Sequence, residues 1–346
     1  MASLPPSPAR SGRPSRVLLV GATGTIGRAV AHALTEAGHE VTCFVRPRFV
    51  RLGAGVNLRP QAHDPRGLPP SARVRFGDVR DPGSIARDAI AGDRFDALVS
   101  CLASRTGTPS DADAIDHRAN SHVLKAAIGA GAKKAVLLSA ICVQHPRLAF
   151  QRAKLAFEAE LTASGIDYSI VRPTAFFKSL SGQVDRVRRG KPYLLFGDGT
   201  LTATKPIADA DLARYIVRCL DDPAFSNRIL PIGGPGPAIS PRDQGLFLFR
   251  LLGRQPRFRQ VPPALLTTIG TALSVAGRVS PALMRKAELA RIGHYYATQS
   301  MLVLDPETRR YEADLTPETG ERTLFDHYRD LVSGTETHER GDHAVF

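Results

Sequence analysis

The sequence has 346 residues, 43% of them hydrophobic and 23% charged, enough for one large domain or for a nucleotide-binding domain with a smaller appended part. No apolar run is long enough to cross a bilayer as a helix. The four cysteines are scattered, and CxxC, HxH and HExxH spacings do not occur. This pattern favours buried thiols in a reducing compartment over a disulfide framework, and it predicts no metal site.

The net charge of +13 fits three kinds of partner, namely nucleic acid, an anionic membrane surface or anionic small molecules. The Lys and Arg residues are dispersed along the chain, and no zinc-finger or RNA-binding-sheet signature accompanies them. An anionic cofactor and an anionic substrate are sufficient to make a positive field useful. We therefore expect no nucleic-acid partner, while peripheral membrane contact and the oligomeric state stay open.

Both ends of the chain are predicted to be disordered tails, at residues 1–15 and 335–346. Residues 1–15 are basic, contain no acid and have no apolar segment, so they cannot be a secretory signal. The alanine- and arginine-rich usage suggests a bacterial source. That source implies the cytoplasm, and a eukaryotic source would imply a plastid.

Strand-like and helix-like segments alternate from residue 16 to residue 175. The predicted strands are Arg16–Val20, Glu40–Val45, Arg73–Phe76, 95–102, 134–141 and 167–171. One predicted helix follows the first strand and ends at residue 37, and a second begins near residue 82. Two more cover 113–130 and 147–163, and a long loop covers 47–71. This alternation is typical of a Rossmann-type, doubly wound parallel sheet of the α/β class. Residues 16–175 are therefore predicted to form a nucleotide-binding core.

Residues 176–334 are predicted to form a smaller, mostly helical, substrate-binding part from which late strands return to the sheet. Its predicted strands are Tyr193–Phe196 and 229–232, and its predicted helices are 209–220, 241–253, 262–276 and 281–297. The apolar stretch 261–280 is interpreted as a core or pocket-covering helix, with a membrane-surface helix as the alternative.

The first predicted strand runs directly into a GxxGxxG motif at residues 21–27, and an amphipathic helix follows. Glycines at this spacing permit a tight turn and let the backbone approach a pyrophosphate, which then lies against the helix N-terminus. Gly-rich turns are common, but this one has the flanking strand and helix that dinucleotide binding requires. The turn residues predicted to bind the cofactor are Gly21, Thr23, Gly24, Thr25, Ile26 and Gly27.

The end of the second strand distinguishes NAD from NADP. An acid there binds a ribose 2′-hydroxyl, whereas an arginine meets a 2′-phosphate. This chain has Arg46 and Arg48 at that position and no acid. We therefore expect NADPH as the cofactor.

The segment 137–154 resembles the short-chain dehydrogenase/reductase family. Ser139 follows a strand and Lys154 lies on the next helix, as the family's Ser and Lys do. Four residues before Lys154 the family has a Tyr that donates a proton to a carbonyl, whereas this chain has Phe150. The resemblance therefore implies that Lys154 holds the nicotinamide ribose and that carbonyl reduction is not the reaction.

The family also places an acid near the adenine after the third strand, a role for Asp78 that competes with a simple turn. Further residues at the ends of the strands are assigned to the cofactor by the same resemblance. They are Val79, Cys101, Leu102, Ala103, Lys154 and Pro173.

Because Phe150 stands where the short-chain dehydrogenases have their tyrosine, the resemblance is restricted to the atypical, NmrA-like members of that family. Among these the chain resembles the NADPH-dependent divinyl chlorophyllide a 8-vinyl-reductases. The likeness extends from residue 16 to about residue 330 and is carried by the runs 137–144, 150–154, 168–183 and 301–308. Its most specific part is the run Arg-Pro-Thr-Ala-Phe-Phe-Lys-Ser-Leu at 172–180.

The resemblance implies hydride transfer from NADPH to the 8-vinyl group of divinyl chlorophyllide a, or of divinyl protochlorophyllide, in chlorophyll or bacteriochlorophyll biosynthesis. Reduction of a vinyl group conjugated to a macrocycle forms no oxyanion, which is consistent with Phe150. A proton must still reach carbon, and the candidate donors are Cys142, His145, a water held by Lys154, and solvent. Structural roles are favoured for the two side chains, Cys142 as a small buried hydrophobe and His145 as a loop or cap residue.

A chlorophyllide is a large flat apolar ring with a carboxylate, so its pocket should be wide and apolar and should offer a few cations. The predicted substrate-side residues are Phe150, Phe176, Phe177, the helix 261–275 and, facing the carboxylate, Lys178, Arg172 or Lys191.

Two other functions stay open. A non-enzymatic NADP(H) sensor or assembly factor of the NmrA-like group would keep the glycine turn and need no substrate pocket, and the missing tyrosine favours it. Another atypical reductase, of the isoflavone-reductase type, is the second alternative. Pigment-dependent turnover distinguishes all three.

Overall fold

The computed structural model describes residues 14–47, 49–51, 58–60, 67–277 and 280–336. The predicted tails at 1–15 and 335–346 lie outside the described residues, except for 14, 15, 335 and 336. Of these, Glu336 is held by Arg322 and His327.

The strands are β1 (Arg16–Val20), β2 (Glu40–Val45), β3 (Phe49–Arg51), β4 (Leu58–Pro60), β5 (Arg73–Phe76), β6 (Ala97–Ser100), β7 (Lys134–Leu138), β8 (Asp167–Pro173), β9 (Tyr193–Phe196), β10 (Arg228–Ile232), β11 (Phe258–Val261), β12 (Val303–Leu304) and β13 (Tyr311–Glu312).

The helices are α1 (Thr25–Glu36), α2 (Pro82–Ser84), α3 (Pro109–Ala112), α4 (Asn120–Gly129), α5 (Ala149–Thr162), α6 (Phe177–Leu180), α7 (Val184–Arg188), α8 (Asp209–Asp221), α9 (Pro241–Leu251), α10 (Pro263–Ala276), α11 (Pro281–Thr298) and α12 (Leu324–Ser333). Ile85–Ile90 and Asp113–Ala119 are π-helical, and Ile141–Gln144 and Pro223–Phe225 are 3₁₀ turns.

Seven strands form one parallel sheet in the order β10-β8-β7-β6-β1-β2-β5. The central strands are short apolar runs buried on both faces, as parallel strands between two helical layers must be. The predicted doubly wound α/β sheet is confirmed. β10, from the second part of the chain, pairs with β8 and completes one edge.

Each face of the sheet has its own hydrophobic core. On one face Val30 and Leu34 of α1 pack with Leu212 and Ile216 of α8. On the other face Phe157 of α5 packs among residues of α4 and of the π-helical segment Ile85–Ile90. Amphipathic helices thus cover both faces and leave the carboxyl edge of the sheet for a ligand.

Several predicted boundaries were wrong for local reasons. The helix expected at 113–130 begins at Pro109, because proline is favourable in a first helical turn, and it contains a π-helical segment. The loop expected at 47–71 contains the short antiparallel pair β3–β4. α12 was not predicted, although Thr323 and Asp326 form a capping box that marks its start.

α10 is not a core helix, which was one of the two positions predicted from its apolar composition, and the pocket-covering position stays a prediction. Leu265, Ile269 and Val275 are 48%, 41% and 59% exposed, and Leu289 of α11 is 46% exposed. α10 pairs with α11 along one side only, which leaves the opposite side open. Among the described residues, no helix combines the length and apolarity needed to span a bilayer.

Candidate functional site

The strand order reverses between β1 and β6, where the chain passes from one half of the sheet to the other. In open parallel sheets a ligand binds outside the carboxyl ends of the strands at this reversal. Gly21 follows β1 and Cys101 follows β6, so the glycine motif and the predicted contacts at Leu102 and Ala103 lie at the same place.

The glycine turn is built by close backbone contact. Gly21 has φ +77°, and a Cβ there would lie 2.5 Å from the carbonyl of Cys101 and 2.8 Å from the nitrogen of Leu102. A Cβ on Gly27 would lie 2.1 Å from the Gly21 oxygen. Glycine is therefore required at both positions for α1 to start directly under the turn.

The N-terminus of α1 suits an anion. Gly24 is its N-cap residue, no acid lies in the first turn, and Thr23 and Gly24 are exposed. The first N–H groups of a helix need acceptors from outside it, and the helix dipole favours a negative charge there. The turn therefore fits the pyrophosphate of a dinucleotide.

Lys178 lies beside this turn. Its Nζ donates to Thr25 Oγ1 at 3.2 Å. Burial raises the pKa of Asp209 to about 6, while the Lys178 and Arg28 charges act in the opposite direction. The Lys178 ammonium therefore lies beside the glycine turn, and the expectation that it faces a substrate carboxylate stays a prediction.

Arg46 and Asp78 lie at the ends of β2 and β5. The Arg80 guanidinium holds the pKa of Asp78 below its usual range through hydrogen bonds as short as 2.6 Å, and Arg46 adds a smaller effect of the same sign. Arg46 is exposed and available to a ligand, and Val79 packs against the neighbouring core. Arg48 lies outside the described residues.

Lys154 is held by a buried acid that the sequence reasoning missed. Its Nζ lies 3.0 Å from Asp116 Oδ1, and the two side chains are 10% and 1% exposed. Asp116 also accepts a hydrogen bond from the Ser104 nitrogen, while its Oδ2 is buried without a described partner. Asn120 follows at the end of the π-helical turn and bonds Ser100 of β6. π-Helical turns recur at functional sites because they redirect side chains, as this one directs Asp116 and Asn120 toward the carboxyl edge.

Ser139 has a different set of partners. It is buried, and its Oγ donates to Glu158 Oε1 at 2.5 Å. Glu158 also forms a buried ion pair with Arg172. Arg172 is therefore paired with a protein carboxylate, which disfavours its predicted role opposite a substrate carboxylate. Glu158 lies four residues after Lys154, a spacing that puts both on one helix face and could have been read from the sequence.

Cys142 and His145 lie in the turn after β7, under α11. The Tyr295 hydroxyl donates to the carbonyls of Cys142 and His145 at 2.9 and 3.0 Å. The Cys142 side chain is 2% exposed, and burial raises the pKa of its thiol. His145 uses one ring nitrogen for Gln299 at 3.0 Å and the other for Arg147 at 3.1 Å.

Phe150 lines the outer side of the site. A Cβ on Gly107 would lie 3.5 Å from its ring and 2.9 Å from Ile292 of α11. Phe150 packs only partly buried against the cluster formed by the turn after β7 and by α11. It is therefore in a position to contact a ligand between the loop after β6 and α11.

The other predicted aromatic residues lie elsewhere. Phe177 is 4% exposed and packs 5.4 Å, ring to ring, from His327 in the C-terminal core. This packing favours a core position for Phe177 over the predicted place in a pocket wall. Phe176 bridges to Ile207 and packs against the core shared by α1 and α8, and Pro173 is buried at the end of β8.

A surface cavity of about 690 Å³ opens between the loop after β6 and the start of α11. Its lining residues are Arg105, Thr106, Asp111, Ala282, Arg285, Lys286 and Leu289. The cations Arg285 and Lys286 were not among the predicted substrate ligands, since nothing in the sequence places α11 beside this loop.

Within the described part of the chain, no group of three or more His, Cys, Asp or Glu side chains is placed to hold a metal ion. All four cysteines are free, and all except Cys101 are buried. This agrees with the expected buried thiols.

The fold and this edge of the sheet define a dinucleotide-binding protein of the Rossmann type. Residues 21–223 match a family model described as NAD(P)H-binding. Among solved structures, an Escherichia coli NADPH-dependent quinone oxidoreductase complexed with NADPH superposes with a TM-score of 0.62 at 18% identity, over 91% of this chain and 99% of that one.

Two plant relatives match over nearly the whole chain. The chloroplastic divinyl chlorophyllide a 8-vinyl-reductase of Oryza sativa subsp. indica is 46% identical over 98% of this chain and 84% of that protein. The Arabidopsis thaliana protein of the same name is 43% identical over 93% of this chain and 78% of that protein. The chain belongs to the divinyl chlorophyllide a 8-vinyl-reductase family.

Proposed function

We propose that this protein uses NADPH to reduce the 8-vinyl group of divinyl chlorophyllide a to an ethyl group. The observation that carries the proposal is the combination of an open dinucleotide turn and a buried Lys154 with Phe150 at the position of the usual proton-donating tyrosine. That combination suits reduction of a carbon–carbon double bond, which needs no phenol against a carbonyl oxygen. The 46% identity to a protein named for this reaction supports it.

NADPH is favoured over NADH by charge. Arg46 is exposed at the end of β2, next to the Asp78–Arg80 pair, and could bind a 2′-phosphate. Asp78 is bonded to Arg80, so an adenine contact by its carboxylate stays a prediction. Lys178 would add a second cation at the pyrophosphate through its position beside Thr25.

Each central residue has a distinct role in the proposal. When bound, NADPH supplies a hydride from its nicotinamide ring. Lys154, oriented by Asp116, would hold the nicotinamide ribose, while the Ser139–Glu158–Arg172 network fixes the turn after β7. Phe150 would pack against the macrocycle.

The cavity between the loop after β6 and α11 is the proposed entrance for the pigment. Leu289 offers an apolar contact, and Arg285 and Lys286 offer cations to the carboxylate. Its volume of about 690 Å³ falls in the usual range for small-molecule pockets.

Peripheral contact with a membrane stays a prediction, and α10 is the surface proposed to make it. α10 has no charged residue, and Leu265, Ile269 and Val275 are exposed on it, with the basic residues Arg285 and Lys286 on the adjoining helix. An apolar face beside cations is the arrangement found in helices that lie on anionic lipid.

The test is an anaerobic assay of the purified protein with divinyl chlorophyllide a and either NADPH or NADH, followed by the Soret shift and by chromatography of the monovinyl product. We expect conversion with NADPH. We expect Arg46→Ala to raise the Kd for NADPH about tenfold or more and to leave the Kd for NADH unchanged. Divinyl protochlorophyllide in a parallel reaction identifies the preferred tetrapyrrole.

Arg259→Ala, which removes another exposed arginine far along the chain, is the matched control for Arg46→Ala. NADPH binding without any pigment conversion would contradict the reductase proposal and favour the sensor. Conversion of a different substrate class would favour another atypical reductase.

A further inference from the structure

The missing tyrosine leaves the proposed reaction without an evident proton donor. Phe150 occupies the position four residues before Lys154, and its phenyl ring has no proton to give. An ethyl group contains one hydride and one proton more than a vinyl group, so some group must deliver the proton to carbon. Because this need arises from the proposed reduction, the proton donor depends on that function as well.

The residues around Phe150 come largely from α11. A Cβ on Gly107 would touch both Phe150 and Ile292, so these two side chains flank one narrow space. Tyr296 lies one helical turn after Ile292 and therefore on the same face of α11. It packs, partly buried, in the same cluster as Phe150, Ala140 and Ala175. The last two residues follow the carboxyl ends of β7 and β8, the edge at which the cofactor is proposed to bind.

The hydroxyl of Tyr296 points into this cluster. Its Oη lies 3.9 Å from Cys142 Sγ. Burial raises the pKa of Tyr296 well above its usual range, so the phenol keeps its proton at neutral pH. The charge of the Lys154 ammonium lowers the pKa of the neighbouring Cys142 thiol, against the larger effect of burial.

The other candidates are less well placed. Cys142 is 2% exposed, whereas Tyr296 is only partly buried. His145 has both ring nitrogens bonded, to Gln299 and Arg147. The neighbouring Tyr295 is buried, and its hydroxyl donates a hydrogen bond to two backbone carbonyls.

We propose that Tyr296 is the general acid of this enzyme and replaces, from α11, the phenol that the helix α5 lacks at Phe150. In the proposed step one vinyl carbon gains a hydride from the bound NADPH, which is oxidised to NADP⁺, and the π electron pair passes into the macrocycle. The Tyr296 O–H bond then breaks, and its proton forms the second new C–H bond. Water returns a proton to the phenolate.

The test compares Tyr296→Phe with Tyr168→Phe, a control at the opposite, amino-terminal end of β8. We expect Tyr296→Phe to lower kcat by about 10²- to 10⁴-fold, the usual effect of losing a general acid. The Kd for NADPH and the thermal midpoint should stay close to those of the wild type, because only one hydroxyl is removed. Tyr168→Phe should retain full turnover.

A second variant separates chemistry from packing. Replacing Tyr296 with 3-fluorotyrosine keeps the shape and makes the hydroxyl a stronger acid that is still protonated at neutral pH, so the kcat profile against pH should lie above that of the wild type. A merely structural tyrosine would leave the profile unchanged, which would overturn the proposal. Normal turnover of Tyr296→Phe, or loss of turnover only in Cys142→Ala, would also overturn it. A wild-type protein that binds NADPH and pigment without turnover would contradict the reductase function itself.

Discussion

The two halves of the site are built in opposite ways. The glycine turn after β1 is held by backbone contacts between close neighbours in space and presents open N–H groups to solvent. The region around Lys154 is held by buried charges, each bonded to a partner from another element. The geometry of the first half requires positions without a side chain. The stability of the second half requires paired side chains, because removing one of them would leave a buried charge without its partner.

Gly27→Ala should distort the glycine turn of the first half, and we expect it to have the largest effect on NADPH binding and stability. The new Cβ would lie 2.1 Å from the Gly21 oxygen, so the turn must open and the start of α1 must move. We expect loss of NADPH binding and a clear drop in thermal midpoint, measured by titration and by thermal unfolding.

Gly129→Ala in α4 is the control, because a Cβ there meets nothing within 4 Å. It should raise the free energy of unfolding by up to about 1 kcal/mol, the helix-propensity gain of alanine over glycine. NADPH binding by Gly27→Ala at the wild-type affinity would contradict the proposed cofactor turn.

Lys154→Met tests the second half. It leaves the 1%-exposed Asp116 charged and unpaired, and we expect a loss of about 3 kcal/mol in the free energy of unfolding, measured with urea. Adding Asp116→Asn should recover most of the stability, because the buried charge is gone.

Turnover should not return in the double variant, since the ribose-holding ammonium is still missing. Recovery of both stability and turnover would show that Lys154 has no role beyond its ion pair. Equal stability of the wild type and Lys154→Met would instead mean that the pair is not buried in solution.

Asp209 is under the charge of Lys178, which lies beside the first half, and the effect of replacing Asp209 should be smaller. The folded-state pKa of about 6 lies above the ordinary 3.8, so the folded protein binds the proton more tightly than the unfolded chain. Stability contributed by Asp209 is therefore present below about pH 4 and is lost as the pH rises to about 6. The charges that act on it are Lys178, Glu336, Arg322 and Arg28.

Asp209→Asn should consequently have a higher thermal midpoint than the wild type at pH 7, without cofactor, and the difference should shrink toward pH 4. The measurement is a pair of thermal-unfolding series across this range. A difference that is the same at both pH values would mean that Asp209 does not titrate as described.

The smallest effect is expected at α10, outside both halves. Leu265→Glu and Ile269→Glu should reduce sedimentation with anionic lipid vesicles several-fold and change the free energy of unfolding by no more than about 0.5 kcal/mol, as is usual at exposed positions. Leu315→Glu, at a leucine 53% exposed elsewhere, is the control and should sediment like the wild type. Wild-type protein that does not sediment with the vesicles would contradict the predicted membrane contact.

The sequence allowed the first half to be predicted and the second only in part. The glycine turn is a local device of seven residues between a strand and a helix, so spacing alone locates it. Lys154 could be located from the family's Ser and Lys positions, but its partner Asp116 lies on another helix and depends on a π-helical turn that no periodicity signals. Tyr296 and the cations Arg285 and Lys286 depend on where α11 docks, which is a tertiary property.

The differences between the sequence-based expectations and the structure follow the same division. Phe177 and Arg172 belong to the specific run at 172–180, yet one is core and the other is paired with Glu158. An apolar or charged residue in a conspicuous motif is often there for packing or pairing. α10 differs in the opposite direction, since an apolar stretch interpreted as a core or pocket-covering helix has exposed apolar side chains.

The bonds from Tyr295 to the carbonyls of Cys142 and His145 have a consequence for how the chain folds. They join residues 153 and 150 positions apart, and Gln144 bonds Leu302 across 158 positions. Contacts of such sequence separation form late and slow the approach to the native state. During synthesis the Rossmann core can assemble and bind its cofactor before α11 has left the ribosome, whereas the turn that carries Cys142 acquires its final geometry only after the last fifth of the chain has arrived.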